Sequence, residues 1–375
     1  MLFTSFAANA QVSPRYKANN SFFNDSLSKR RLKTVIQFEL ENGGMLYRKG
    51  VKENLGNVYY NGFNIKIGWQ TERGGDYYHQ LYNYPIYGVG FYSSTFRNAE
   101  LGTPNAIYGF VAVPMLSNLS KRWNYNYRIS LGLAGNFNPY DEEDNPFNVL
   151  LGTSRNVFID FGLQANYKLN RHLQVGAGAA LHHFSNGSIR KPNKGVNLIP
   201  ITVALTYTPD SREVDFSKIE LPSIENKWQY HLSTSFGNKQ IDEYEKRYFK
   251  STLTSYISYP LGHKWRLGLG ADLFYTQPGE RIERAERNVN YKDSRFTYGM
   301  GFYIDHVFSQ KLYLNSTVAH YLHRNPYNGE EKPVYLRTGI RYKAYKNAFI
   351  GVSIKAHKEK ADFTEWTLGY TFKRK

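Results

Sequence analysis

Along most of the chain apolar and polar residues alternate with a period of two, the pattern of a strand with one face in an apolar medium and the other in a polar one. From Val157 the odd positions read Val157, Ile159, Phe161, Leu163, Ala165 and Tyr167, against Phe158, Asp160, Gly162, Gln164 and Asn166. Trp265, Leu267, Leu269, Ala271, Leu273 and Tyr275 alternate in the same way with Arg266, Gly268, Gly270 and Asp272. Phe296, Tyr298, Met300, Phe302 and Ile304 form a third such face, and Trp366, Leu368, Tyr370 and Phe372 a fourth. Several faces carry aromatics at their ends and aliphatics between, as a lipid-facing strand does where it meets the two membrane interfaces. About sixteen segments follow this rule. They are expected over 33–42, 57–69, 84–94, 105–115, 124–136, 156–168, 172–183 and 197–208, then over 226–237, 248–259, 265–277, 295–308, 312–323, 333–343, 348–357 and 363–373.

The connections carry a second, independent pattern. Tight ones, such as Leu169-Asn170-Arg171, Ser309-Gln310-Lys311 and Tyr345-Lys346-Asn347, alternate with long polar ones, such as Pro139 to Ser154 and Pro278 to Ser294. Short periplasmic turns alternating with longer outer loops are expected of an outer-membrane barrel and not of a soluble β-sandwich. The connection from Thr71 to Asn83 is too long for this scheme. The polar stretch from Pro209 to Lys227 falls on the periplasmic side and splits the strands into two sets of eight. Eight is also the smallest common closed barrel. The fold class is therefore an all-β antiparallel transmembrane barrel of about sixteen strands, closed as two small barrels or as one large one. The expected organisation is a residual leader over 1–10, a barrel over 33–208, a linker over 209–225 and a second barrel or half over 226–375.

Composition sharpens this picture. Among 375 residues, 32 are Tyr and 24 Phe, which suits exposed pleated surfaces better than helical cores. No apolar run approaches the roughly 18 residues of a transmembrane helix. A negative mean hydropathy argues against a helical membrane protein but not against a barrel, whose strands average two opposed faces. Cysteine is absent, so neither a disulfide framework nor a thiolate metal site is available. The net charge of +17 is scattered over strand ends and loops rather than gathered on a basic helix, which favours phosphorylated lipid head groups over nucleic acid. Ala8 and Ala10 stand at the −3 and −1 positions of a small-residue cleavage site before Gln11, the expected tail of an export signal.

The alternation breaks in one place. From Leu173 to Ser185 the odd face reads Leu173, Val175, Ala177, Ala179, Leu181, His183 and Ser185, so His183 and Ser185 share the lipid side. Asn197 shares it on the next segment. Polar groups there are costly unless they serve one another or a ligand. Two residues apart on a strand places His183 and Ser185 roughly 6 to 7 Å apart along it. Imidazole and hydroxyl so placed suit ester hydrolysis, with the ring as general base and a third group orienting it. Asn186, Asn193 and the backbone at Gly187 are candidate donors for the oxyanion.

The stretch His183-Phe184-Ser185-Asn186-Gly187, followed by Pro192-Asn193-Lys194-Gly195-Val196-Asn197, resembles the active-site signature of the PagL-type lipid A 3-O-deacylases. These are eight-stranded outer-membrane barrels with a Ser-His-Glu triad on the lipid-facing outside. The resemblance covers roughly residues 33–208 and implies His183 as base, Ser185 as nucleophile and Asn186 as an oxyanion-side residue. The family's acid falls on Asn197, which is not a carboxylate. An amide can fix the imidazole tautomer but cannot stabilise an imidazolium as an ion pair would.

The function expected is thus a bacterial outer-membrane ester hydrolase acting on lipid A of lipopolysaccharide. Arg190, Lys191 and Lys194 are expected to hold the phosphorylated sugar, and no cofactor or metal is called for. The competing expectation is a channel or structural barrel that retains a degenerate motif. His182 is expected to fill space at the interface, and Asp141-Glu142-Glu143-Asp144 to form a solvated acidic loop rather than a calcium site. His320 and His323 near Asn325 and Asn328-Gly329 faintly echo the first motif without its serine.

Overall fold

The computed structural model describes residues 32–47, 51–74, 76–115, 122–224, 227–241, 246–277, 295–358 and 360–373. The cleavage site at Ala8 and Ala10 and the long connection from Pro278 to Ser294 lie outside them. Sixteen antiparallel strands close into two separate barrels of eight, which decides between the two closures the sequence leaves open.

The first barrel contains β1 (Lys33–Met45), β2 (Tyr59–Gln70), β3 (Ile86–Thr95), β4 (Gly102–Pro114), β5 (Trp123–Phe137), β6 (Asn156–Lys168), β7 (Leu173–Ser185) and β8 (Val196–Tyr207). It closes by pairing β1 with β8, Phe38 opposite Leu205 and Leu40 opposite Val203. The second contains β9 (Gln229–Gln240), β10 (Arg247–Pro260), β11 (Trp265–Thr276), β12 (Phe296–Val307), β13 (Leu312–His323), β14 (Val334–Tyr345), β15 (Ala348–His357) and β16 (Lys360–Lys373). Here β16 returns to β9, with Leu368 opposite Thr234. Every segment expected from alternation is a strand, displaced by no more than a few residues.

The sidedness follows the period. Along β8, Ile199, Ile201, Val203, Leu205 and Tyr207 are exposed while Leu198, Thr202, Ala204 and Thr206 are buried. Along β16, Trp366, Leu368, Tyr370 and Phe372 are exposed and Thr367 and Thr371 buried. An outer wall of this composition is stable only against hydrocarbon, and a closed sheet leaves no unpaired backbone edge in it. Trp123 packs on Tyr167 at 4.9 Å, and Tyr230 on Phe372 at 5.8 Å, at the short-turn end. These are membrane-embedded barrels of the bacterial outer-membrane type.

Both lumens are filled with charge. In the first, Glu39 binds Lys66 (2.7 Å) and Arg128 (3.2 Å), and Arg128 binds Asp160 (2.8 Å). His182, expected at the interface, instead points inward and bridges Glu41 and Asp160, each at 3.1 Å. Its parity is even, so it faces away from lipid, where a ring nitrogen needs ionic or hydrogen-bonding partners. In the second lumen Arg266 binds Asp305 (2.9 Å), and Arg337 binds Asp272 (2.6 Å) and approaches Glu365 (3.6 Å). An eight-stranded ring is just wide enough for side chains to fill.

The overlong connection between β2 and β3 has a job that local pattern does not reveal. It forms the short helix α1 (Tyr78–Leu81) and reaches across to the second barrel. Tyr82 donates its hydroxyl to Val307 O (2.6 Å), Tyr78 donates to His263 O (3.0 Å), and Lys264 lies over the Tyr82 ring at 4.5 Å. The chain between the barrels runs along the same connection: Gln80 exchanges two bonds with Ile219, and Tyr84 donates to Ser217 O. Arg212 meets Glu72 at 2.7 Å beside it.

Candidate active site

At the long-loop end of the first barrel, the register of β7 on β8 sets His183 directly opposite Asn197. The His183 Nδ1 to Asn197 Oδ1 distance is 2.7 Å, and His183 Nε2 to Ser185 Oγ is 3.0 Å. With Nδ1–H donating to the amide oxygen, Nε2 is left to accept the serine hydroxyl. One relay thus connects the three residues, on two strands and one outward face.

The loop after β7 folds over this relay. Gly187 (φ +62°) and Ser188 (φ +65°) turn it through two left-handed residues. Gly195 (φ +75°) brings it back beneath the imidazole. A Cβ at Gly195 would stand 2.9 Å from His183 Cε1, so only glycine permits both this turn and the ring position. Ser185 is only 6% exposed. Arg190 and Lys194 are exposed on the loop, and Lys191 is half-buried. For Lys191, burial and then the neighbouring Lys239 and Lys360 push its pKa down to about 8.

The candidate oxyanion groups differ in their contacts. The Asn186 amide donates to Thr153 Oγ1 (3.1 Å) and to Arg190 O (2.8 Å), both within the loop framework. The Asn186 backbone N–H donates to Asn193 Oδ1 at 3.1 Å. That bond orients the Asn193 amide, and its Nδ2 has no partner among the described residues. The Asn186 amide is thus taken up by the loop framework, whereas neither Asn193 Nδ2 nor the Gly187 N–H has a hydrogen-bond partner among the described residues.

Alternation says nothing of the supports that come from far along the chain. The β5–β6 connection supplies Thr153, and Leu151 pairs with Asn193 in an isolated bridge. The second barrel supplies Thr364 on β16, whose hydroxyl occupies the space a side chain at Gly187 would need. The acidic run stays solvated: Asp141 accepts from the Glu143 and Asp144 backbones, which hold its carboxyl below the usual range. Among the described residues no group of three or more His, Asp or Glu side chains is arranged to hold a metal ion. Near His323, Asn325 caps a 3-10 turn over Pro326–Asn328, so that echo serves a loop fold.

Comparison with known proteins agrees with a tandem arrangement. Residues 63–206 match the family described as lipid A 3-O-deacylase (PagL), and residues 228–374 match the family described as acyloxyacyl hydrolase, C-terminal domain. The chain is thus distantly related to the PagL deacylase family. It is similar to the crystal structure of the outer membrane enzyme PagL at 10% identity, over 45% of this chain and 97% of that one, with a TM-score of 0.32. Neisserial surface protein A is similar at 11% identity, over 46% and 96%, with a TM-score of 0.31. The Pseudomonas putida toluene transporter TodX is similar at 8% identity, over 96% and 93%, with a TM-score of 0.17. A comparison with curated proteins finds no match.

Proposed function

We propose that this protein is an outer-leaflet lipid esterase that removes an ester-linked acyl chain from lipid A. The observation that carries the reading is the continuous relay from Asn197 through His183 to Ser185, at 2.7 and 3.0 Å, on a lipid-facing surface. A nucleophile there meets the substrate's ester without drawing the lipid out of the membrane.

In this reading Ser185 Oγ attacks the acyl carbonyl carbon as its proton passes to His183 Nε2. The tetrahedral oxyanion is met by Asn193 Nδ2 and the Gly187 N–H. The bond from carbonyl carbon to the sugar oxygen then breaks, and that oxygen takes the proton from His183. Water attacks the acyl-serine, gives a proton to His183, and the fatty acid leaves as Ser185 recovers its hydrogen. Asn197 holds the ring in the tautomer that leaves Nε2 free to act as base, but adds no charge to balance the imidazolium. Arg190, Lys191 and Lys194 would draw the phosphorylated sugar to the rim.

Mass spectrometry of lipid A from cells with and without the protein tests this. Loss of one acyl chain is expected, and its absence under verified expression would sink the reading.

A second reading is a structural barrel that retains the motif without turnover. It is favoured by the amide at position 197 and by the second barrel, where β15 ends on Lys355, Ala356 and His357 with no serine-histidine pair on its outward face. The charged side chains filling both lumens speak against a conducting pore.

A further inference from the structure

The loop that begins one residue after Ser185 is stitched to the second barrel. Ser188 donates its hydroxyl to Ala361 O (2.7 Å), Gln240 N–H donates to Ser188 O (3.2 Å), and Lys191 N–H donates to Gln240 Oε1 (2.7 Å). These bonds join the β7–β8 loop to the ends of both β9 and β16. They also carry Lys191 to the mouth of the second barrel, where a pocket between the barrels is lined by Lys191, Lys239, His357, Lys360, Glu331 and Asp362.

Among the described residues that line this pocket, three ammonium groups (Lys191, Lys239 and Lys360) face two carboxylates (Glu331 and Asp362). Asp362 alone serves three ammonium groups: Lys239 in close contact, Lys355 at 3.3 Å and Lys250 at 3.6 Å. Lys355 also approaches Glu330 at 4.0 Å. Lys360 pairs with Glu331 at 2.9 Å on the exposed side. For Lys191, the contact found among the described residues is a 3.3 Å bond to the Ser188 hydroxyl, which brings no charge. Clustered, partly desolvated ammonium groups repel one another and are relieved by a multiply charged anion with several acceptor oxygens.

We propose that the rim of this cleft, whose interior of about 20 Å³ has room for a single water, binds a phosphate group of the same outer-leaflet lipid whose ester reaches Ser185, with Lys191 and Lys360 as its ligands. The second barrel is then half of the substrate site, and the stitched loop holds the nucleophile and the anchor as one unit. A phosphate fixed there would place the acyl ester along the lipid-facing wall, making positioning the work of the second barrel. This inference rests on the esterase reading for the ester, but binding can be read without turnover.

The test uses the full chain carrying Ser185→Ala, in detergent micelles, with native mass spectrometry and calorimetry as readouts. It is titrated with bisphosphorylated lipid A, with the same lipid stripped of its phosphates, and with inorganic phosphate. The phosphorylated lipid is expected to bind about tenfold more tightly or better than the stripped lipid. The pair Lys191→Gln and Lys360→Gln should abolish that preference. Lys191→Arg with Lys360→Arg should keep it, and Lys311→Gln at the opposite rim should leave it unchanged.

Equal affinity for the two lipids in the parent chain would overturn the proposal, as would a Gln pair that binds like the parent. Inorganic phosphate binding as tightly as the phosphorylated lipid would overturn the lipid assignment. A phosphate preference in a chain whose Ser185 form hydrolyses no ester would support this pocket while the esterase reading falls. Turnover that ignores phosphorylation would do the reverse.

Discussion

The seventh strand of each barrel reaches the outer rim, and there the two barrels diverge. On β7 the last residues set His183 and Ser185 on the outward face, tied to Asn197 on β8. On β15 the last residues set Lys355 and His357 inward, beneath a carboxylate from β16, while Ala356 takes the outward parity. The same strand position thus carries a relay facing lipid in one barrel and a cation cluster facing the lumen in the other. A shift of one residue in the polar pattern is enough, because strand side chains alternate between the two media. The tandem fold teaches that a duplicated wall need not duplicate a site: the second barrel's polar residues meet the first barrel's loop at the shared rim.

The comparison breaks most plainly at Ser185. If the first barrel alone carries the chemistry, Ser185→Ala should lower acyl release by about a thousandfold or more, measured as free fatty acid from lipid A micelles, with strand content unchanged by circular dichroism. A variant that keeps the parent rate would leave the structural-barrel reading standing.

Next in size is the packing of the lumen. Arg128→Met removes the cation that Glu39 and Asp160 share and leaves both carboxylates buried. It should cost about 3–5 kcal/mol in urea unfolding from detergent. Arg337→Met, which strands Asp272 and Glu365, should cost the second barrel a similar amount. A neutral result in either would show that its network is not needed to fill the ring.

Smaller effects sharpen the site itself. Gly195→Ala pushes a methyl toward His183 Cε1. About a hundredfold loss of turnover is expected from the misplaced ring, with lipid affinity retained. Asn197→Asp restores a carboxylate opposite His183 and should raise turnover about tenfold or more, since an anion stabilises the imidazolium where an amide does not. No gain would mean that tautomer control is all this position contributes.

The smallest effect is in pH. Lys191, held down to about 8 by burial and by Lys239 and Lys360, is charged at pH 7 and largely neutral at pH 9. Asp362, Glu331 and His357 also face it. Binding of phosphorylated lipid should weaken severalfold, roughly, as pH rises through that window. Lys191→Gln should flatten the change.

Much of this was readable from the chain alone. Strict alternation implies a pleated wall between two media, because each residue's side is set by parity and not by distant partners. The same parity put His183, Ser185 and Asn197 on one face, and the short and long connections showed which end was outward. The expectation that His182 fills space at the interface came from its place near a strand end; its even parity points it inward, to partners Glu41 and Asp160 that lie on other strands.

Local pattern, by contrast, does not determine closure. Sixteen strands satisfy the same alternation in one ring or two, and only the pairing of β8 with β1 and of β16 with β9 separates them. The long β2–β3 connection has no local reason to exist; its tyrosines are explained by His263 and Val307, far along the chain. The meeting of Lys191 with Lys239 and Lys360 is likewise a product of packing. Parity is a property of neighbours in sequence, whereas register, closure and the joining of two barrels depend on contacts between residues far apart, and those belong to the tertiary structure.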